Sequence, residues 1–420
     1  MRSSLVLAMG AVLLTACRTE PTDSPAPAAD APPTASVSTI GDDQLPDSTT
    51  LEAQRYTGRS RQSAEVDTLA QAEAARSNRE QLADVTRDAR RTAAWRDSLH
   101  LPLGGDVEGP SVLKLQVLLD RAHFSPGQID GRWGDNTEAA LVAFQQATET
   151  GESLGVADSA TVRALAERAG SPRQLVTAHV LTEEDVTGPF EPIPDDVYAK
   201  AEMDRLGYES LAEKLGERFH ASPGLLQRLN DGVDLNGLAA GDTLRAPNVQ
   251  GAPSLSGSIA RLEISGSGHW IHGLAEDGAV LFHAPTTVGA EYDPSPSGSF
   301  QITGIARNPD WHYQPAILAN VPDDEEDAIL PPGPNNAVGT VWMSLSKPHY
   351  GIHGTRAPGT IGYASSAGCV RLTNWDVERL AGLVSAGTPV RFRDIAGRSG
   401  GSASGGSGSP SGAASGASTP

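Results

Sequence analysis

Two short strings near the C-terminus constrain this chain more than any other feature: YGIHGT at 350–355 and SSAGCVRL at 365–372. They place Cys369 sixteen residues after His353. The chain has two cysteines, and the other, Cys17, lies in an apolar N-terminal leader, so Cys369 is predicted to be a free thiol. A free thiol downstream of a histidine, in a loop of small residues, is the pattern of a nucleophile with its base.

The N-terminus predicts export. Arg2 precedes an apolar run from Leu5 to Leu14, which is too short to span a bilayer but suits the central region of a secretory signal. The string Leu-Thr-Ala-Cys that follows resembles the lipobox of bacterial lipoproteins. That resemblance implies a lipoprotein signal over residues 1–17 and a lipid anchor on Cys17. An ordinary signal peptide cut nearby is the alternative.

Composition separates the linkers from the folded parts. Residues 18–50 are rich in Pro, Ala, Ser, Thr and Asp and predict a disordered tether. Residues 51–100 predict a charged helical spacer, and the Gly/Ser-rich residues 397–420 predict a disordered tail. A net charge of -20 argues against a nucleic-acid partner.

The first compact unit opens with apolar residues at helical spacing, Val112, Leu115, Leu118, Leu119 and Ala122. A Gly-rich turn, FSPGQIDGRWG at 124–134, leads into a second helix, where Asp135 and Glu138 are predicted to form a capping pair. The pattern over 103–168 resembles the small three-helix peptidoglycan-binding domain. The resemblance implies contact with glycan strands of the cell wall.

A second module is predicted over residues 198–249. Leu211, Leu215 and Phe219 are spaced for one helix, and the string AGDTLRAPN at 240–248 ends the unit with a strand. The unit resembles a divergent LysM repeat of the α+β class, although the Gly-Asp-Thr that opens the first strand in that family is absent. Glycan binding and a purely structural spacer are both open readings.

From residue 258 the chain changes to short apolar stretches broken by Gly, Pro, Asp or Asn. This predicts an all-β domain over 258–394, with one helical pattern at Trp375 to Leu383. Three further strings lie inside it: SPSGSF at 295–300, NPDWHYQP at 308–315 and PPGPNNAVGTVWMSL at 331–345. With the two C-terminal strings they resemble the L,D-transpeptidase catalytic domain of the YkuD family. The predicted fold is therefore multidomain, with helical and α+β modules before the β domain.

The chemistry follows from the residue types. A thiol has an ordinary pKa of about 8.5, and a positioned imidazole can lower that value, so His353 is predicted to accept the Cys369 proton and leave it partly a thiolate. Gly368 lets the backbone turn tightly, and the amides of Gly368 and Cys369 are suited to a tetrahedral oxyanion. The family resemblance implies that the Gly354 carbonyl holds the second nitrogen of His353.

Substrate contacts are predicted for Arg371, Ser366 and Tyr350. Arg371 lies two residues after the nucleophile, where its guanidinium can pair with a carboxylate. Ala367 stands where many family members have a histidine, but the base role belongs to the earlier His353.

Three other histidines raise the question of a metal. His269 and His272 form an H-x-x-H string, and His283 follows it. The neighbouring aromatic residues favour ordinary packing, so we predict no metal and no cofactor. The acidic run at 323–327 is predicted to be a solvated loop.

The sequence thus predicts a lipid-anchored envelope enzyme, in the periplasm and with the inner or outer membrane left open. By resemblance, Cys369 attacks a tetrapeptide stem at a diaminopimelate-like residue, expels D-alanine, and passes the acyl group to an amine of another stem or a protein. A cysteine hydrolase that cuts such links, and a catalytically vestigial wall-binding lipoprotein, are the alternatives. If the modules are independent, removal of residues 18–168 should leave a competent enzyme.

Overall fold

The computed structural model describes residues 99–395, apart from 106, 152–153, 291–293 and 318–324. The predicted signal, tether and tail, and all but the last two residues of the predicted spacer, lie outside the described residues. Within the described part of the chain, no helix is long and apolar enough to cross a membrane.

Three helices form the first compact unit. They are Pro110–Arg121 (α1), Asp135–Thr148 (α2) and Ser159–Arg168 (α3). Asp158 caps α3, because its side chain accepts the Thr161 N–H at 2.8 Å. The predicted capping pair of α2 is wrong: Gly134 holds the N-cap position, and Asp135 and Glu138 lie in the first turn. Acidic groups there still meet the positive end of the helix dipole.

The next unit places four helices and a 3-10 turn between two strands. Its elements are Val176–Val180 (β1), Glu183–Val186 (α4), Val197–Ala201 (α5), Leu211–Arg218 (α6), Pro223–Leu229 (α7), a 3-10 turn at Leu235–Gly237, and Thr243–Pro247 (β2). Strands β1 and β2 pair antiparallel, so the first strand lies ahead of the predicted boundary at residue 198. The residues of VTAHV are all at least partly exposed, so the string shows little of the apolar–polar alternation that predicts a strand.

These two units share one hydrophobic core, which runs from Leu99 to Val249; we call them together the N-terminal half. Ile129, in the Gly-rich turn, is fully buried in this core. Its main chain also bonds to the second unit, since Ile129 N–H donates to the His220 carbonyl at 2.8 Å and Ser222 N–H donates to the Ile129 carbonyl at 2.9 Å. The N-terminal half is therefore one packed body.

The C-terminal half, from residue 259, is built on an eight-stranded sheet. Its strands are Arg261–Ser265 (β3), Trp270–Leu274 (β4), Val280–Pro285 (β5), Gly298–Arg307 (β6), Val341–Leu345 (β9), Gly351–His353 (β10), Val370–Arg371 (β11) and Pro389–Arg393 (β12). Their order in the sheet is β11-β10-β9-β6-β12-β3-β4-β5. A separate hairpin pairs Trp311–Tyr313 (β7) with Ala328–Leu330 (β8).

Helix α8, Asn374–Ala381, packs its apolar face on the core of this sheet. It lies one residue ahead of the helical pattern predicted from Trp375. Thr373 caps it by accepting the Asp376 N–H. Two 3-10 turns lie at Pro315–Ile317 and Pro358–Thr360, the second in the loop that joins β10 to β11.

A buried polar seam joins the two halves; it comprises Asp120, Ser125, His220, Asp376 and Arg379. Asp120, at the end of α1, accepts a hydrogen bond from Arg379 of α8 at 3.1 Å and lies 2.8 Å from His220 Nδ1. Burial acts to raise the pKa of Asp120, but the charges of Arg379 and His220 outweigh it and hold that pKa below its usual value. Ser125 Oγ donates to Asp376 Oδ2 at 2.8 Å.

Main-chain bonds reinforce the seam. Ser125 N–H donates to the His283 carbonyl at 2.8 Å, and His283 N–H donates to the His123 carbonyl at 2.9 Å. His283 lies on β5, the last strand in the sheet order, so the Gly-rich turn covers an edge that would otherwise be open. The expectation that residues 18–168 can be removed without harm conflicts with these contacts.

Candidate active site at the edge of the sheet

His353 and Cys369 are brought together by the parallel pairing of β10 with β11. His353 ends β10, and Cys369 comes directly before β11. The register pairs Ile352 with Val370, and the Leu372 N–H donates to the His353 carbonyl at 2.9 Å. The two predicted catalytic residues therefore lie at the end of β10 and directly before β11, the last two strands at one end of the sheet order.

The ring of His353 is buried and held in its plane by an aromatic neighbour. Trp342 lies directly opposite on β9, and the two rings stack with centroids 5.4 Å apart and planes 24° apart. A side chain on Gly351 would collide with the Trp342 ring, so glycine is required there. The string YGIHGT thus encodes the space for this tryptophan as well as the histidine.

One nitrogen of His353 is already committed. Nδ1 lies 2.7 Å from the Gly354 carbonyl oxygen, the contact that the family resemblance implies. Because a carbonyl only accepts, Nδ1 carries the proton and Nε2 keeps a lone pair. Burial, followed by the charge of Arg371, lowers the pKa of His353 to about 3 against the smaller opposing effect of the Gly354 bond. The imidazole is therefore neutral at neutral pH.

Cys369 is half-buried and follows a glycine in the left-handed region, since φ of Gly368 is 85°. Only glycine adopts this conformation without strain. The Sγ atom lies 3.7 Å from the His349 carbonyl, to which the thiol donates. The partly ionised Cys369 thiol expected from the sequence stays a prediction.

The loop that carries Cys369 is braced from outside its own string. Ser295 Oγ donates to the Gly368 carbonyl at 2.8 Å and accepts the Gly289 N–H at 2.9 Å. The main chain of Ser366 bonds on both sides, to the Val288 carbonyl and the Ala290 N–H. The string SPSGSF by itself predicts no role for Ser295. A serine in a turn string is the only local indication of such a bond, and its partner Gly368 lies 73 residues further along the chain.

The three predicted substrate contacts have different surroundings. Ser366 is buried and its hydroxyl donates to the Cys369 carbonyl, so its side chain is engaged in bracing the loop. Tyr350 is half-buried, and the Lys347 ammonium lies 4.0 Å from the centre of its ring. Arg371 is half-buried on β11, opposite His353 in the register, and its charge acts on that imidazole.

His272 and His283 form a pair on the adjacent strands β4 and β5. His272 Nε2 lies 3.0 Å from His283 Nδ1, and the His272 ring stacks on Trp270 at 3.8 Å. Burial is the main cause that lowers the pKa of His272 to about 4 and that of His283 well below its ordinary value. Among the described residues, no group of His, Cys, Asp and Glu has the arrangement of a metal site.

Family models match two segments of the chain. The YkuD model, described as "L,D-transpeptidase catalytic domain", matches residues 262–392. A second model, described as "Putative peptidoglycan binding domain", matches residues 108–165. The first match contains both His353 and Cys369, and the second contains helices α1 and α2 and most of α3.

Two curated relatives are named "Putative L,D-transpeptidase YkuD". The one from Bacillus licheniformis is 32% identical over 178 residues, which is 42% of this chain and 90% of the relative. The one from Bacillus subtilis is 33% identical over 172 residues, which is 40% of this chain and 97% of the relative. A crystal structure of the L,D-transpeptidase from Xylanimonas cellulosilytica is 17% identical to this chain. The match covers 71% of this chain and 100% of that chain, with a TM-score of 0.30. On the sequence matches, the chain belongs to the YkuD family of L,D-transpeptidases.

Proposed function

We propose that this L,D-transpeptidase uses Cys369 as its nucleophile and His353 as its proton acceptor and donor. The observation that carries the proposal is the 2.7 Å contact between His353 Nδ1 and the Gly354 carbonyl. Because it keeps the proton on Nδ1, Nε2 remains the basic atom of the ring. The parallel register of β10 and β11 supports the pairing of this base with the Cys369 thiol.

In the first half-reaction, the Cys369 sulfur attacks the carbonyl carbon of a diaminopimelate-like residue in a tetrapeptide stem, while Nε2 of His353 takes the thiol proton. A C–S bond forms, and the carbonyl π electrons move onto oxygen, where the main-chain N–H groups of Gly368 and Cys369 are the proposed donors. The intermediate then collapses and the C–N bond to D-alanine breaks. The imidazolium returns its proton to the leaving amine, and a thioester remains.

In the second half-reaction, an amine from another stem or from a protein attacks the thioester. His353 takes a proton from that amine, the C–S bond breaks, and the proton returns to the sulfur. The product is a 3-3 cross-link between stems, or a protein attached to the wall. Because the pKa of His353 is lowered, its imidazole is neutral at neutral pH, and Nε2 can accept a proton in each half-reaction.

Arg371 is the proposed docking group for a carboxylate of the stem peptide. A guanidinium offers two parallel N–H donors to a carboxylate, and Arg371 belongs to the strand that directly follows the nucleophile. Ser366 and Tyr350 stay predictions as substrate contacts. The bonds of Ser366 support a bracing role for its hydroxyl in the proposed mechanism.

The remaining modules are proposed to bring the enzyme to its polymer. Helices α1 to α3 would contact glycan strands, and the LysM-like unit, here taken as residues 175–249, would add to that contact or act as a spacer. Lipidation of Cys17 would anchor the chain to an envelope membrane, so that the enzyme works in the periplasm. Linked binding modules raise the local concentration of strands at the active site.

The decisive experiment incubates the purified full chain with disaccharide-tetrapeptides and reads the masses of protein and products. A thioester adduct on wild-type protein and cross-linked dimers are expected, and Cys369→Ser should form neither. Tripeptide products without dimers would assign hydrolysis instead of transfer. Cross-linking retained by Cys369→Ser would rule out this nucleophile.

A further inference from the structure

Helix α6 of the N-terminal half extends a carboxyl group into the C-terminal half. Glu217 Oε1 lies 3.2 Å from Nδ2 of Asn374, the first residue of α8. The other bonds of the Asn374 amide stay within the C-terminal half, since Nδ2 donates to the Pro334 carbonyl and Oδ1 accepts the Thr340 N–H, each at 3.2 Å. Asn374 therefore connects α6 to the main chain that leads into β9.

The same amide lies against the peptide that holds His353. A Cβ atom on either Gly354 or Gly339 would collide with Asn374 Oδ1, so the amide oxygen packs directly on both glycines. The Gly354 N–H donates to the Val341 carbonyl at 3.2 Å, and its own carbonyl lies 2.7 Å from His353 Nδ1. A displacement of Asn374 would therefore move the carbonyl that sets the direction of the imidazole.

Glu217 is partly buried in acidic surroundings. Burial is the largest cause that raises its pKa, to about 8, with nearby carboxylates adding to it and the Asn374 bond opposing it. The titratable and charged groups that act on Glu217 or on its neighbour Tyr208 are Glu213, Glu378, Asp376 and Arg205. At neutral pH, Glu217 thus offers Asn374 an acceptor oxygen without placing another negative charge among these groups.

We propose that Glu217 is a positioning residue for His353, which it supports through Asn374 and the Gly354 carbonyl. The inference rests on the proposed role of His353 as the base. It assigns part of the active-site framework to helix α6, which lies outside the segment that the catalytic-domain model matches. The site of this enzyme is incomplete without the N-terminal half.

The test compares three full-length variants with wild type: Glu217→Ala, Glu217→Gln and Glu213→Ala. Gln keeps an acceptor oxygen and, like the protonated acid, has no charge. Glu213 is a matched control because it lies on the same helix and accepts a bond across the same boundary, but from Asn335 Nδ2, at 2.8 Å, rather than from Asn374. The maximal acylation rate and KM for a tetrapeptide donor are measured from pH 6 to 9 at a temperature where circular dichroism shows every variant folded.

We expect Glu217→Ala to lower the maximal acylation rate about three- to tenfold, the range for one lost neutral hydrogen bond, with KM unchanged. Glu217→Gln and Glu213→Ala should stay close to wild type at pH 7. Above the Glu217 pKa of about 8, ionisation strengthens the Asn374 bond but adds a charge beside Glu378 and Asp376, so the wild-type rate should differ from that of Glu217→Gln only in this range. Glu217→Gln should keep its rate over the same range.

Equal losses in Glu217→Ala and Glu213→Ala, with one shared pH profile, would mean that Glu217 only contributes packing. A Glu217→Gln rate as low as that of Glu217→Ala, or an effect on KM alone, would also overturn the inference. Failure of the proposed function has a different signature, namely no acyl-enzyme on wild type or a normal rate in His353→Ala. A wild-type enzyme that acylates normally, with Glu217→Ala matching it at every pH, overturns only the role of Glu217.

Discussion

Apolar cores stabilise each half of the molecule, whereas polar contacts stabilise the boundary between the two halves. The N-terminal half packs helices and one strand pair around a core of aliphatic and aromatic side chains, and the C-terminal half packs strands and α8 around a second such core. The boundary between them is the polar seam, where Asp120, His220 and Arg379 meet. Apolar cores tolerate many partners of similar volume, whereas a buried charge needs one particular partner.

This difference indicates that the seam fixes how the halves are oriented. The thiol and the imidazole both belong to the C-terminal half, but the edge of β5 and the cation of α8 find their partners in the N-terminal half. The proposed catalytic residues are local to one half, and elements of that half bond to the other half.

Removal of residues 18–168 should have the largest effect, on the folding of the C-terminal half. It would expose the edge of β5, open the N-terminal core and leave Arg379 without Asp120, so we expect loss of a soluble, cooperatively folded protein. Circular dichroism during heating measures this. Removal of 18–98 is the matched control, because it touches none of the described residues. A truncated protein with a cooperative transition and wild-type acylation would show that the C-terminal half folds alone.

Replacement of His353 by Ala should affect chemistry far more than folding. Loss of the base is expected to slow acylation by about 10² to 10⁴. Single-turnover mass spectrometry of the acyl-enzyme measures the rate. Arg371→Ala serves as the comparison and should mainly raise KM. A near-normal rate without His353 would move the base elsewhere, with His349 the next candidate.

Asp120→Ala should act in the opposite sense, on stability rather than on chemistry. Removing Asp120 takes away one of the two carboxylates that act on Arg379 and leaves Asp376 as the other, and we expect a loss of up to about 3–5 kcal/mol in the free energy of unfolding. Urea unfolding measures it, and the folded variant should keep its acylation rate. In the double variant Asp120→Leu with Arg379→Met, apolar groups replace the pair and much of the loss should be recovered. If Asp120→Ala alone is neutral, the seam does not hold the halves together.

A further effect is expected on the pH dependence of stability at Glu217. Its pKa is raised in the folded protein from an ordinary 4.5 to about 8, so between these values the folded state holds a proton that the unfolded state has lost. The free energy of unfolding should therefore fall as pH rises through this window and level off above it. Glu217→Gln should remove that part of the slope, measured by urea unfolding from pH 5 to 8.5. Parallel curves for both proteins would mean that Glu217 titrates normally.

Much of the site was readable because its residues lie in compact strings. Within YGIHGT and SSAGCVRL, the histidine and the Gly-Cys pair lie in compact strings, so their types and spacing predict a nucleophile with its base, and the family resemblance adds the role of Gly354. The three-helix unit was readable for a similar reason, since helical periodicity is local. Strand β1 was missed because a half-exposed strand gives weak alternation, and only its pairing with β2 defines it.

By itself, the sequence predicted which side chains would carry the chemistry and determined that the chain contains a catalytic and a peptidoglycan-binding domain, because both depend on residues close together along the chain. The tertiary structure alone decided that the modules are fused and that the His353 imidazole is neutral, since burial and the charge of Arg371 set its pKa. It also decided that Ser295 bonds to the Gly368 carbonyl and that Asn374 packs on Gly354. These contacts join residues tens to hundreds of positions apart, and local periodicity contains no information about such distant partners.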